Sequence, residues 1–453
     1  MIDIHLTREL LQAVTRGELH PSVLTTTLLE HLMALCPTCH EEIEAWRSES
    51  SSTGSACRTD SFEKAQAMRT AVERSASQVG RQEVDLRVER REAKKDFNTL
   101  MRLVPESRLD RIRGAYKRFR SPFLAERLLD RSRSYLPNEP AQAFHFAELA
   151  HVVAQWGRDR IIAHEMQTLA LANMANARRA LGEIRTADAL FRQARSVVRM
   201  EGVTEKLVYA ELDWREGTLR RDQRRFDEAE TLLERSVLHY RLAGDRGASV
   251  ASVLLSLGEV YREIGELQKA LASIDDALQC IDPEQEDRLF LMACHNRALC
   301  FYHLDRYEDA RVALEENHSL YARFPDRWTQ LRALWLEGKV LRGLGETQTA
   351  ERTLESARDG FLEGGRPFDA SQVALDLALV YSDMGRAAEL QSLSDDLVTV
   401  FQGQELHREA MVALVLFRQA VRDNSLTRAI VDQLHRCLSR APEDREASLQ
   451  EPS

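Results

Sequence analysis

A helical pattern with a period close to 40 residues constrains this chain more than any other feature of its sequence. The small residues that mark the first helix of each unit are Ala175, Gly217, Gly258, Ala298, Gly338 and Ala378. The second anchors, twelve positions later, are Ala187, Ala229, Ala270, Ala310 and Ala350, with Leu390 as the exception. Two antiparallel helices pack closely only where both side chains at the crossing are small, so each unit is predicted to be a helical hairpin. Each hairpin leaves an apolar face that the next one must cover, which predicts a stacked solenoid.

This pattern resembles the tetratricopeptide repeat family over roughly residues 165–392. The pair of small residues twelve positions apart matches the family signature, and Tyr261, Phe301 and Tyr381 occupy its aromatic position. The resemblance implies an all-α, right-handed solenoid of helical hairpins, which we place at residues 119–440, with six clear units and about two degenerate ones. It also implies that the first helices line a groove that binds a protein or a peptide.

The composition agrees with an all-helical protein. Of the 453 residues, 30% are charged and only 6% are aromatic, with 11 prolines and 20 glycines. A net charge of −10 argues against a general nucleic-acid binder, which is usually basic. No apolar run reaches the ~18 residues of a membrane span, and the first residues, MIDIHLTREL, do not resemble a signal peptide. With seven scattered cysteines, the sequence predicts a soluble cytoplasmic protein with reduced thiols and no membrane partner.

Outside the repeats, four segments are predicted. Residues 1–46 form a small head that contains cysteine and histidine, and the Ser-rich residues 47–62 form a flexible linker. Residues 63–118 form a locally basic helical connector, and residues 441–453 form a disordered tail.

The stretch HLMALCPTCHEEI in the head contains His31, Cys36 and Cys39, and His5 lies in the first predicted helix. Tetrahedral zinc takes four nitrogen or sulfur ligands, commonly two cysteines and two histidines. Such a small head has little apolar core, so a metal that holds it together is expected. Four protein ligands leave no open position, which predicts structural rather than catalytic Zn²⁺. Redox release of the metal through the CxxC is an alternative role.

Residues 3–46 resemble the zinc-binding anti-sigma domain of bacterial regulators, whose motif is His-x3-Cys-x2-Cys with an upstream histidine or cysteine. The resemblance implies four ligands: His5, His31, Cys36 and Cys39. Four residues, not three, separate His31 from Cys36 here, and His20 and His40 remain alternative ligands. It further implies a sigma factor or a similar protein as partner.

A second cluster, CHNRALCFYH, contains Cys294, His295, Cys300 and His303. A metal site is one interpretation. In the repeat frame, however, both cysteines fall where other units place Leu, Val or Ala, which favours small buried apolar side chains. The two histidines would then point into the groove.

A column of arginines is predicted four residues after the small positions: Arg179, Arg221, Arg262 and Arg342. Stacked first helices would place successive arginines ~10 Å apart. With Asn176, Trp335 and Lys339 nearby, this column could clamp an acidic peptide or helix. The alternative is that the arginines pair with local carboxylates such as Glu259 and Glu263.

The sequence contains no phosphate-binding loop, nucleophile elbow or HExxH motif, and no small-molecule site is evident. The basic stretch 87–120 lacks the interleaved aromatic residues of a nucleic-acid stacking platform. We therefore predict a non-enzymatic regulatory scaffold that acts through protein–protein interaction. The alternative is a plain adaptor for complex assembly, in which the zinc head is only a structural module.

Overall fold

The computed structural model describes residues 87–157, 159–200, 203–402 and 408–438. The chain divides into two compact units, Met1–Val88 and Glu89–Ser453, and nearly all described residues belong to the second. In these ranges all regular secondary structure is α-helical. The predicted head, linker and tail lie outside the described residues.

The helices follow one another with short connections. In chain order they are α1 (87–101), α2 (Pro105–Gly114), α3 (Pro122–Tyr135), α4 (Pro140–Gln155), α5 (Arg160–Ala180), α6 (Ile184–Met200), α7 (Lys206–Asp222), α8 (Phe226–Leu242), α9 (Ala248–Ile264), α10 (Leu267–Cys280), α11 (Asp287–His303), α12 (Tyr307–Glu316), α13 (His318–Ala322), α14 (Arg327–Gly343), α15 (Thr347–Glu363), α16 (Pro367–Asp383), α17 (Ala387–Gln402), α18 (Arg408–Arg422) and α19 (Arg428–Leu438).

The hairpins pack at the small residues that the sequence predicted. A Cβ atom added to Gly217 would lie 2.9 Å from Leu233 Cγ, and one added to Gly338 would lie 2.6 Å from Leu354 Cγ. Each leucine belongs to the second helix of the hairpin that contains its glycine. At the opposing anchors the alanines are fully buried, and Leu390 is buried as well. The prediction of close hairpin packing is confirmed.

The turn of each hairpin has a left-handed residue seven positions after the small residue. Its φ angle lies between 59° and 89° in the six units: Gly182, Arg224, Gly265, Asp305, Gly345 and Gly385. This conformation allows the next amide to bond back into the last turn of the first helix, as Glu266 N does to Tyr261 O at 2.8 Å. Two units place a side chain where glycine is favoured.

The predicted connector, residues 63–118, is described from residue 87 onward. Ala93 and Leu100 of α1 and Ile112 of α2 are buried in one apolar cluster with Leu124 of α3 and Leu149 of α4. This described part of the connector therefore packs against the first hairpin, α3 and α4.

Candidate binding groove

The first helices of successive hairpins adjoin one another in order. We call the surface formed by α5, α7, α9, α11, α14 and α16 the first-helix face. The predicted arginine column lies on these helices, four residues after each small position.

Each of three predicted column arginines pairs with a carboxylate on the next first helix. Arg179 bonds Asp222 at 2.6 Å, and Arg342 bonds Asp383 at 2.7 Å. Arg221 bonds Glu259 and lies 3.7 Å from Glu263.

These pairs link neighbouring units and neutralise the positive charge that was predicted to hold an acidic peptide. For Arg221, the local carboxylates Glu259 and Glu263 are the partners that the alternative interpretation named. The sequence contains the signal, because Asp222, Glu263 and Asp383 each lie five residues after the small position of their unit.

Arg262 differs from the other three column arginines. The corresponding position in the next unit is His303, so no carboxylate is available there. Burial and the charges of Lys339 and Arg262 lower the pKa of His303 to about 2, which leaves its imidazole neutral.

The other three predicted residues make polar contacts, within one helix for Asn176 and between units for Trp335 and Lys339. Asn176 Oδ1 accepts a hydrogen bond from Arg179 Nε at 2.8 Å. Trp335 Nε1 donates to Asp376 Oδ2 at 2.7 Å, and Lys339 Nζ lies 3.7 Å from the same oxygen.

Asp376 on α16 is an important groove residue that the sequence-based reasoning did not identify. Its side chain is only 2% exposed, and that of Lys339 is 10% exposed. Burial alone would raise the pKa of Asp376, but the charges of Lys339 and His435 and the bond from Trp335 hold this pKa below its ordinary value. Trp214 donates to Ser256 Oγ at 3.0 Å, and these two residues occupy the same repeat positions as Trp335 and Asp376. This repetition in the sequence could have identified Asp376.

The last of the described helices, α19, contacts the first-helix face and the adjoining turn between α11 and α12. Near its start, Arg428 pairs with Asp305, donates to Tyr307 Oη at 3.0 Å and donates to the Tyr302 carbonyl at 3.2 Å. The Arg428 guanidinium also stacks over the Tyr302 ring, 4.3 Å from its centroid.

Two turns later, His435 reaches α14 and α16. Its Nδ1 bonds Gln372 Oε1, and its Nε2 lies 3.4 Å from Asp376 Oδ2. Its ring lies 6.0 Å from the ring of Trp335. Helix α19 therefore spans the first helices of three successive units, and none of the predicted site residues pointed to it.

The CHNRALCFYH cluster is built into α11. Cys294 and Cys300 are buried, as the repeat frame predicted. His295 bonds Tyr321 Oη on α13 at 2.8 Å, and burial lowers the pKa of His295 to about 4. Among the described residues, no three His, Cys, Asp or Glu side chains are arranged to hold a metal ion. The predicted zinc ligands, His5, His31, Cys36 and Cys39, lie outside these residues.

A buried charge network also stabilises α7. Asp213 is fully buried and accepts bonds from Arg195 on α6 at 2.5 Å and from Arg235 on α8 at 2.6 Å. Glu211 bonds Arg215, and although burial opposes ionisation, the charge of Arg215 helps to lower the pKa of Glu211 to about 2. These side chains satisfy one another, so the network has a structural role.

A search of the described helices for a membrane-spanning segment finds no candidate.

Comparison with known proteins agrees with this architecture. Residues 208–280, which lie within α7 to α10, match the family model of the tetratricopeptide repeat. Comparison with curated protein sequences finds no match. The fold is similar to the crystal structure of a Rap protein complexed with Competence and Sporulation Factor, at 14% identity and a TM-score of 0.52. That alignment covers 70% of this chain and 88% of the Rap chain.

Two further solved structures are similar over much of their length. The apo form of RapI is 11% identical, with 70% of this chain and 96% of that chain covered and a TM-score of 0.46. A tetratricopeptide repeat protein from Parabacteroides merdae ATCC 43184 is 18% identical, with 60% and 99% covered and a TM-score of 0.38. The match of the repeat model and the likeness to the Rap complex establish the fold: the described residues form an all-α solenoid of tetratricopeptide-type helical repeats.

Proposed function

We propose that this chain is a non-enzymatic regulatory scaffold that binds a protein or peptide on the first-helix face. The observation that carries the proposal is that a helix, α19, already lies on this face. It makes polar contacts with the α11–α12 unit and with α16, and a ring contact with Trp335 of α14 between them.

The similar Rap protein was solved in complex with Competence and Sporulation Factor. A protein of this fold thus has a named partner, which supports a partner-binding role for the present chain. A non-enzymatic role is proposed because the sequence contains none of the catalytic motifs considered above.

Photo-crosslinking tests the binding face directly. We expect a photoreactive residue at Arg262, on the first-helix face, to give a discrete adduct in the source cells. The matched control is the same substitution at Leu238, which is 54% exposed on the second helix α8. Equal adducts from both positions, or none from Arg262, would contradict the proposal.

We further propose that residues 1–46 form a zinc-stapled head with Cys36 and Cys39 as thiolate ligands and His5 and His31 as imidazole ligands. Metal analysis of the full chain should give about one Zn²⁺ per chain. His31→Ala should lower this value, whereas His295→Ala, in the repeat segment, should not. An unchanged zinc content in the His31 variant would refute this ligand set.

The sigma-factor role belongs to the regulatory proposal, and the plain adaptor is the alternative. Deletion of residues 1–46 separates the two, because only a regulatory head should change transcription in the source cells. Co-isolation of a sigma factor with the full chain and its loss on deletion would support the regulatory role. Unchanged transcription together with retained assembly of a complex would favour the adaptor.

A further inference from the structure

We infer that the first-helix face from α11 to α16 is a receptor for a basic helix that presents two cationic side chains seven residues apart. Helix α19 is its resident ligand, and a partner helix with arginine at both positions takes the place of α19. The inference rests on the proposed function and names the partner class. It also reverses the sign of the charge expected from the predicted arginine column.

The spacing of Arg428 and His435 covers about one step between neighbouring first helices, and their side chains reach the remaining distance. Residues seven apart lie on the same side of a helix, and the helix rises ~10.5 Å between them. Neighbouring packed helices lie ~8–10 Å apart. Arg428 therefore reaches the end of α11 while His435 reaches α14 and α16.

At the first point the receptor offers an acid, a phenol and a ring face. Asp305 and Tyr307 contact the Arg428 guanidinium, and the ring of Tyr302 lies beneath it. Tyr302 is 1% exposed, and Lys339 Nζ also lies 4.8 Å from its ring centroid. A planar guanidinium suits this combination, because it can stack on a ring and donate hydrogen bonds at its edge.

At the second point, α19 leaves one polar atom of the receptor without a hydrogen bond. His435 Nε2 lies 3.4 Å from Asp376 Oδ2, and Asp376 Oδ1 is buried with no hydrogen-bond partner among the described residues. An orphaned carboxylate oxygen in a buried site is unfavourable. The forked guanidinium of an arginine could bond both oxygens of Asp376, which a single imidazole nitrogen cannot.

Two features of α19 make it a displaceable ligand. It is 11 residues long, and isolated helices shorter than about 12–15 residues are marginal in water, so its helix depends on docking. Its own Asp432 lies 3.3 Å from Arg428 Nε, so part of the Arg428 charge is engaged within the helix. A partner without this acid presents a fully available cation to the receptor.

The second point is occupied by polar side chains of both α14 and α19. Lys339 and His435 both face Asp376, so the carboxylate is shared and not free. Displacement therefore exchanges an imidazole for a guanidinium and does not fill an empty site. This makes the choice between histidine and arginine at the second position the decisive variable.

Fluorescent peptides added to the full chain test the inference. The probe has the sequence of residues 424–436 with H435R, and two matched peptides have either the native sequence or R428Q with H435Q. We expect the H435R peptide to bind about tenfold tighter than the native peptide, the effect of one additional charge-assisted bond. The double-glutamine peptide should show no saturable binding.

Equal binding of the native, H435R and double-glutamine peptides would overturn the inference. So would the absence of saturable binding to both the wild-type chain and the Arg428→Ala chain, in which α19 is less firmly held. If no peptide binds but the Arg262 adduct still forms, the basic-helix chemistry is wrong and the proposed function stands. If both measurements fail, the proposed function fails with it.

Discussion

Asp376→Ala should lower the free energy of unfolding by about 3–5 kcal/mol, the usual cost of removing one partner from a buried ion pair. The substitution removes the acceptor of Trp335 Nε1 and leaves the Lys339 ammonium without its carboxylate in a buried position. Urea denaturation followed by circular dichroism measures the change.

A matched double variant identifies the cause of this loss. Asp376→Leu combined with Lys339→Met removes both charges and keeps the apolar volume, so we expect it to lose only about 1–3 kcal/mol, the cost of leaving Trp335 Nε1 without its acceptor. Asp376→Asn alone should lie between these, because its amide oxygen can still accept from Trp335. If the double variant is as unstable as Asp376→Ala, the ion pair is not the reason for the loss.

The same pair gives a pH dependence with a definite sign. Because the folded-state pKa of Asp376 lies below its ordinary value of 3.8, its ionised form stabilises the fold above that pH. The stabilisation should decrease as the pH falls below about 4. The stability difference between wild type and the Asp376→Leu, Lys339→Met variant should change over this window.

The second large effect is expected where the hairpins pack. Leu354 is fully buried, and Leu354→Ala should lower the free energy of unfolding by about 2–5 kcal/mol. Gly338→Ala alone should also destabilise, by about 1–3 kcal/mol, because its new Cβ would lie 2.6 Å from Leu354 Cγ. In the Leu354→Ala background the same methyl group has room, so Gly338→Ala should stabilise the chain by about 1 kcal/mol.

This change of sign is a test of coupling between the two residues. The matched control is Gly114→Ala, because a Cβ there meets nothing within 4 Å. Its effect should be the same in the wild-type and Leu354→Ala backgrounds. A Gly338→Ala effect of equal sign in both backgrounds would show that this glycine is not required by the close approach of Leu354.

The repeat architecture could be predicted from the sequence because its cause is local and periodic. Gly217 and Gly338 recur in the same register, and each contacts a leucine 16 residues later in its own hairpin. The turns could be predicted in the same way, because glycines such as Gly265 and Gly385 favour the left-handed conformation that each turn requires. A single unit of sequence therefore contains the information that fixes the hairpin.

The partners of the groove residues were harder to predict because they lie in other units. Arg179 is neutralised by Asp222, 43 residues later, and this contact depends on the offset between stacked first helices. Comparing each unit with the next would have revealed the recurring acid.

The contact of α19 with the first-helix face could not be predicted from the repeat pattern. Arg428 and Asp305 are 123 residues apart, and no period relates them. The prediction of an acidic ligand considered the column arginines alone and left out the carboxylates that pair with three of them. The zinc ligands of the head stay a prediction.

Amide hydrogen exchange of residues 428–438 in the full chain is the most direct test of the central claim that the first-helix face binds a helix. We predict that these amides are protected, that Arg428→Ala makes them exchange faster, and that the H435R peptide does the same to the wild-type chain. The amides of α14 and α16 should keep their protection in all three samples. Exchange in α19 as fast as in an unstructured peptide, or unchanged by both the variant and the peptide, would contradict the account.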